Sequence, residues 1–320
     1  MDHGPISRRG FLLGGAVAGA SLLVPQLSVA APKRKRALRV AHITDIHIQP
    51  ETFAPQGTAA CLRHINALKD KPDLILTGGD LIMDSFAATR ERTQIQWDLF
   101  KRTFAENNSI PVRHCIGNHD IWGWNLARSK ATGNEPDYGK KWAVETLGLD
   151  RAYYSFDQAG WHFVVLDSVQ PVGDNKTYFG RLDDRQFEWL RRDLEATPKD
   201  RPVLIISHIP IVSMCAFFGA SKDDIVKDHK TPVSDLLADM PRVRALLQKF
   251  PNVSLALSGH IHLVDRVDYE GVSYLCGGAV CGAWWMGNNM ECVPGYNLID
   301  LYTDGTFDRQ YVPWGWKPGK

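Results

Sequence analysis

"LALSGHIHLVD" (residues 255–265) places two histidines, His260 and His262, directly behind an apolar run. Residues two apart on an extended segment project to the same side, so both imidazoles leave the strand together. Four further apolar runs end in the same manner. "LRVAHI" (38–43) leads through Thr44 to Asp45 and His47, and "LILT" (74–77) leads through two glycines to Asp80. "VRHCI" (112–116) leads through Gly117 to Asn118, His119 and Asp120, and "VLIIS" (203–207) ends at His208. Together with "WHFVVLD" (161–167) and "VSLAL" (253–257), these runs read as strands. Helix-like segments at 56–69, 89–105, 183–196 and 235–249 alternate with them, which predicts an α/β domain. In an open α/β sheet, ligands gather outside the carboxyl ends of the strands. A turn explains any one polar residue at such an end. Five strand ends carrying oxygen and nitrogen donors point instead to one metal-binding edge.

The donor types narrow the metal. Carboxylate, amide and imidazole without thiolate suit zinc, iron or manganese, and the sequence does not choose among them. Gly78, Gly79, Gly117 and Gly259 stand just before the donors, where the backbone must turn sharply or approach closely. His42, His64, His114 and His162 lie within strand or helix patterns and read as core or surface residues. His229 reads as a solvated loop residue within a long irregular stretch, 211–234. The six cysteines form no C-x-x-C pair, so they read as free buried thiols, not as a structural zinc site.

In order, D-x-H (45–47), GGD (78–80), GNHD (117–120), the isolated His208 and GHIH (259–262) resemble the five-block pattern of the calcineurin-like metallophosphoesterases. The resemblance runs from about residue 40 to 265, and every block is complete. It implies an α/β fold of two packed mixed β-sheets flanked by helices, in four αββα layers. It implies two metal ions, manganese, iron or zinc. Asp45, His47 and His262 would hold the first, Asn118, His208 and His260 the second, and Asp80 would bridge them. His119 would stay off the metals as the acid or phosphate-binding group, with Asp120 behind it as its orienting partner. The implied activity is hydrolysis of phosphodiesters or phosphomonoesters by a metal-activated hydroxide. Metal coordination lowers the pKa of water from about 15.7 to about 7.

Composition sets limits on the partner. Formal net charge is +1, and removing the first thirty residues, with Arg8, Arg9 and Asp2, leaves a neutral body. Nucleic-acid binding needs a basic footprint, so none is expected and a nuclease is disfavoured. No basic cluster flanks the motifs, which favours a small-molecule diester over a polyphosphate. A broad phosphomonoesterase or protein phosphatase is the second reading, and a non-catalytic metal-stabilised binding module the third. Trp122 and Trp124 follow GNHD at once and are candidate substrate contacts, while Trp284 and Trp285 are either stacking or packing residues.

The N-terminus carries Arg8–Arg9, an apolar stretch from Phe11 to Val24, and small residues at Ser28 and Ala30. It resembles a twin-arginine signal peptide over 1–30, which implies the twin-arginine export machinery as a partner and a periplasmic or extracellular product. No stable membrane insertion is expected after cleavage. Residues 31–320 read as one metallophosphoesterase domain with a C-terminal β-rich extension from about 265, whose hairpins would complete a second sheet.

Overall fold

The computed structural model describes residues 34–173, 177–218 and 234–318. The signal segment, His229 and most of the 211–234 stretch lie outside the described residues.

Two mixed sheets form. The first contains β1 (Arg36–Ile43), β2 (Leu74–Gly78), β3 (Val112–Cys115), β12 (Gly295–Tyr302) and β13 (Phe307–Pro313), in the order β13-β12-β1-β2-β3. The second contains β4 (Tyr154–Gln158), β5 (Trp161–Val165), β8 (Val203–Ile206), β9 (Val253–Ser258), β10 (Val264–Tyr269) and β11 (Val272–Gly277), in the order β10-β11-β9-β8-β5-β4. A small ribbon pairs β6 (Val169–Pro171) with β7 (Tyr178–Gly180). The parallel links β1–β2 and β2–β3 require crossovers, supplied by α1 (Ala54–Asn66) and α2 (Arg90–Asn107). Likewise α5 (Asp184–Ala196) joins β5 to β8, and α6 (Met240–Leu247) joins β8 to β9. Short helices α3 (Leu126–Ser129) and α4 (Lys141–Thr146) lie between β3 and β4.

Side-chain alternation explains the layering. Val40 of β1, Leu74 and Leu76 of β2, and Ile299 and Leu301 of β12 share one buried cluster with Phe163, Val165, Leu204, Ile206, Leu255 and Leu257. This is the seam between the sheets. The intervening residues Ala41, Ile43, Ile75, Val164 and Ile205 join a second cluster with helical Leu62, Ile65, Trp97, Phe100, Leu190 and Leu246. Both faces of each sheet are therefore covered, as parallel strands require.

Two expectations need correction. The C-terminal hairpins do not complete one sheet. β10–β11 extends the second, whereas β12–β13 pairs antiparallel with β1 in the first. The helix expected over 235–249 starts only at Met240, with Pro241 in its first turn, where a missing N–H leaves no bond unmade. All six cysteines are free and buried.

The alternation in β5 gives His162 a definite role. Its neighbours Trp161 and Phe163 face the seam, so its ring faces the opposite side. There Nδ1 lies 2.7 Å from Asp157 and Nε2 lies 2.9 Å from Asp193 of α5. Burial lowers its pKa, but the two carboxylates outweigh burial and hold it above the ordinary value. A raised folded-state pKa contributes stability that is complete below the unfolded value, about 6.5, and is lost as pH rises through the folded value. His162→Leu should therefore cost about 1–2 kcal/mol at pH 5.5. The deficit should shrink toward pH 9 when urea unfolding of the two proteins is compared. A deficit that stays constant with pH would show that the ring acts by packing alone.

Candidate metal centre

The five strand ends converge. Asp45 and His47 follow β1, Asp80 follows β2, Asn118 to Asp120 follow β3, His208 follows β8, and His260 and His262 follow β9. Five of the donors, Asp45, His47, Asp80, His260 and His262, have left-handed backbones with φ between 46° and 71°. That conformation is strained for residues with a Cβ and clusters at functional sites. The glycines make the convergence sterically possible. A Cβ on Gly259 would lie 2.4 Å from an Asp45 carboxylate oxygen, and one on Gly79, itself at φ 93°, would lie 2.6 Å from His208 Nδ1.

The donors form two groups that share one atom. In the first, His47 Nε2 is 3.1 Å from His262 Nε2, and His262 Nε2 is 3.3 Å from Asp45 Oδ1. In the second, His208 Nε2 is 2.9 Å from Asn118 Oδ1 and 3.2 Å from His260 Nδ1. Asp80 Oδ2 lies between them, 3.6 Å from His47 Nε2 and 3.2 Å from His208 Nε2. The other carboxylate oxygen, Oδ1, accepts the His119 backbone N–H at 2.8 Å.

These groups fit metal ions on two counts. Donors about 2.0–2.2 Å from a common ion, at roughly 90–110° to one another, stand about 3–3.5 Å apart, which is the spacing found. The tautomers agree as well. His208 Nδ1–H donates to the Gly78 carbonyl and His262 Nδ1–H to the Gly282 carbonyl, which leaves both Nε2 lone pairs aimed inward. The electrostatics call for cations. Burial disfavours charge on His208, yet Asp80 and Asp45 push its pKa up to about 9. Asp45, against the effect of burial, is held down to about 2 by His262 and His208. Without ions, the carboxylates favour a proton on His208 and His262, whereas burial disfavours one on His47 and His260.

His119 lies at the edge of the site, with a ring nitrogen within 4.8 Å of ligand atoms of His47 and Asp80. Its Nδ1–H donates to the Met83 carbonyl, and its ring meets His47 edge-on at 4.7 Å. Nε2 is left for the cleft. Asp120 is not its orienting partner, which corrects the expectation. Asp120 accepts instead from the backbone N–H groups of Leu81, Ile82 and Gly117, tying the GGD and GNHD turns together. Burial and the facing Asp80 still push its pKa up to about 7.

Trp122 and Trp124 also need correction as substrate contacts, because both are packed into the core. Trp122 is 2% exposed and meets Trp142 edge-on, while Trp124 is 7% exposed and packs on Phe86 and Lys140. Trp284 lies beside the donors instead, its ring 4.7 Å from that of His262. His42, His64, His114 and His162 join neither group. His42 is fully buried with neither nitrogen partnered, and burial lowers its pKa to about 4. The carbonyls of Met83, Gly78 and Gly282 escape sequence reasoning because every residue has one. Thr44, whose hydroxyl donates to Asp45 at 2.6 Å, was legible only as the residue before the ligand.

The fold and the paired donor groups define a metal-dependent hydrolase of the two-sheet type. The calcineurin-like phosphoesterase profile matches residues 38–264, and the chain belongs to that family. It is a metallophosphoesterase, a hydrolase of phosphate esters. A 3′,5′-cyclic-nucleotide phosphodiesterase of Nostoc sp. is 25% identical over 85% of this chain and 91% of its own length. A 3′,5′-cyclic adenosine monophosphate phosphodiesterase of Escherichia coli is 25% identical over 85% of this chain and 88% of its own length. The crystal structure of a dimetal phosphatase from Danio rerio superposes with a TM-score of 0.57 at 18% identity, covering 88% of this chain and 98% of that one, a likeness of fold.

Proposed function

We propose that the protein is an exported phosphodiesterase that works with two metal ions, each manganese, iron or zinc. Asp45, His47 and His262 hold one ion, Asn118, His208 and His260 the other, and Asp80 serves both. The observation that carries this reading is the position of Asp80 Oδ2 between the two donor groups. Ions of this class supply Lewis-acid charge for the phosphoryl oxygens and for activation of water. The chain's own residues do the rest. Gly78 and Gly282 carbonyls keep the His208 and His262 rings in the binding tautomer. His119, fixed through Met83, presents Nε2 to the leaving oxygen as a proton donor. Asp120 holds the two turns that carry Asp80 and Asn118.

A diester fits the charge of the site better than a monoester. Among the described residues, no Lys or Arg is hydrogen-bonded or ion-paired to any of these donors, which favours one phosphate charge over two. The names of the Nostoc and Escherichia coli relatives support the same reading. Metal-free protein reconstituted with manganese, iron or zinc should turn over bis(4-nitrophenyl) phosphate with a higher kcat/KM than 4-nitrophenyl phosphate. The reverse order would make it a phosphomonoesterase, and no turnover of either would leave the binding module.

Residues 1–30 act as the twin-arginine signal on this proposal, and the domain from residue 31 folds, with its ions, before export. Arg8→Lys together with Arg9→Lys should leave the precursor inside the cell. Normal recovery of mature protein outside the cytoplasm from that double variant would refute twin-arginine recognition.

A further inference from the structure

We infer that Trp284 is a specificity-determining platform that stacks a flat aromatic ring in the organic part of the ester substrate. The inference rests on the phosphoesterase reading of the site. It begins with a tryptophan pair treated in opposite ways. Trp285 is 1% exposed, packs against Trp314 and Trp316, and donates its indole N–H to the His47 carbonyl at 3.1 Å. Its ring lies so close to α1 that a Cβ on Gly57 would meet it at 2.1 Å. Trp285 therefore anchors the loop to the segment that carries His47. Trp284, one residue earlier, is 42% exposed. Its ring lies 4.7 Å from the His262 ring at a tilt of 37°, and 6.0 Å from that of His47.

The backbone is bent to achieve this. Trp284 and Trp285 are consecutive left-handed residues, at φ 48° and 72°. The bend is closed by Ala283 N–H to the Gly287 carbonyl and Met286 N–H to the Ala283 carbonyl. Anchoring is met by Trp285 and by the Val280 and Cys281 N–H groups on the Thr44 and Asp45 carbonyls, none of which involves the Trp284 ring. The strain at Trp284 places a large aromatic surface beside the donor histidines without burying it. Met286 and Met290, on the same loop, are 70% and 56% exposed, and thioethers adapt to varied apolar shapes. An ester whose phosphoryl group sits between the donor groups extends one substituent over this rim. An indole face selects a planar ring there, because offset stacking rewards flatness beyond apolar area.

The probes are phosphonates, whose C–P bond the enzyme does not hydrolyse. Binding of benzylphosphonate and of cyclohexylmethylphosphonate to the manganese-loaded protein is measured by calorimetry. The two have similar apolar bulk, and only one is flat. The parent should favour the benzyl compound by about 10-fold, within the range of ring stacking on an aromatic side chain. Trp284→Leu should bring the two affinities together, and Trp284→Phe should keep most of the difference. Absence of a preference in the parent, or equal preference in the Leu and Phe variants, would overturn the inference. The outcome is separable from that of the phosphodiesterase reading. Diester turnover without the benzyl preference removes the platform and leaves the reading. A Trp284-dependent preference without diester turnover does the opposite.

Discussion

Asp80→Ala should strip both metal positions at once. On the proposed reading each of the other donors belongs to one group, and its loss removes one contact from one ion. Asp80 Oδ2 lies within 3.6 Å of a ring nitrogen from each group. Elemental analysis after manganese reconstitution should therefore fall from about two ions per chain toward none, the paired occupancy on which two-metal sites depend. Turnover should fall by about 10³-fold or more, since a metal ion supplies several kcal/mol of transition-state stabilisation. Alanine also removes the acceptor for the His119 backbone N–H, so some loss could come from the turn itself. Asp80→Asn separates the two effects, because it keeps an oxygen in place and removes the charge. It should lose most of its metal while melting near the metal-free parent. Full occupancy of one position in either variant would show that Asp80 serves only the other group.

The strands and the donor set were legible because two simple patterns carry them. Apolar runs define β1, β2, β3, β8 and β9, and the segment behind each carries oxygen or nitrogen donors, a coincidence that a turn explains at one strand end but not at five. What failed had different physical causes. β4 is half-exposed along its length, and β6 and β7 are three residues each, too short for a pattern. The hairpins at 264–277 and 295–313 look alike locally, and only long-range pairing sends one to each sheet. Trp122 and Trp124 stood next to GNHD in sequence, but adjacency does not give direction. The turn through the three residues Asn118–Asp120 sends the chain inward, and both indoles are buried. Trp284, twenty-two residues beyond His262, reaches the site because two left-handed residues fold its loop back. Asp120 obeys the same rule. Sequence proximity to His119 suggested a side-chain bond, whereas the tight turn gave its carboxylate three backbone donors.

With Asp120 committed to the turns, His119 depends on Met83 for its orientation. Its ring is oriented by the Met83 carbonyl, so Nδ1 keeps its hydrogen and, on the proposed reading, Nε2 would carry the proton for the leaving oxygen. As a general acid it matters most when the leaving group is a poor one. On the proposed division of roles His119→Ala should keep both metals, because its Nδ1 is committed to the Met83 carbonyl, although the ring lies beside His47 and Asp80. Turnover of an alkyl phosphodiester should drop by about 10²–10⁴-fold, the usual contribution of a positioned acid. Turnover of a nitrophenyl diester, whose leaving oxygen needs little protonation, should drop much less. Asp120→Asn supplies the contrast. It disturbs the turns that carry Asp80 and Asn118, so it should lower metal content and melting temperature and slow both esters alike. If His119→Ala slows both esters equally with its metals retained, the imidazole stabilises charge on the phosphoryl oxygens and does not protonate the leaving group. If metal content falls in that variant, His119 is a ligand, and the separation between the donor groups and the acid is wrong.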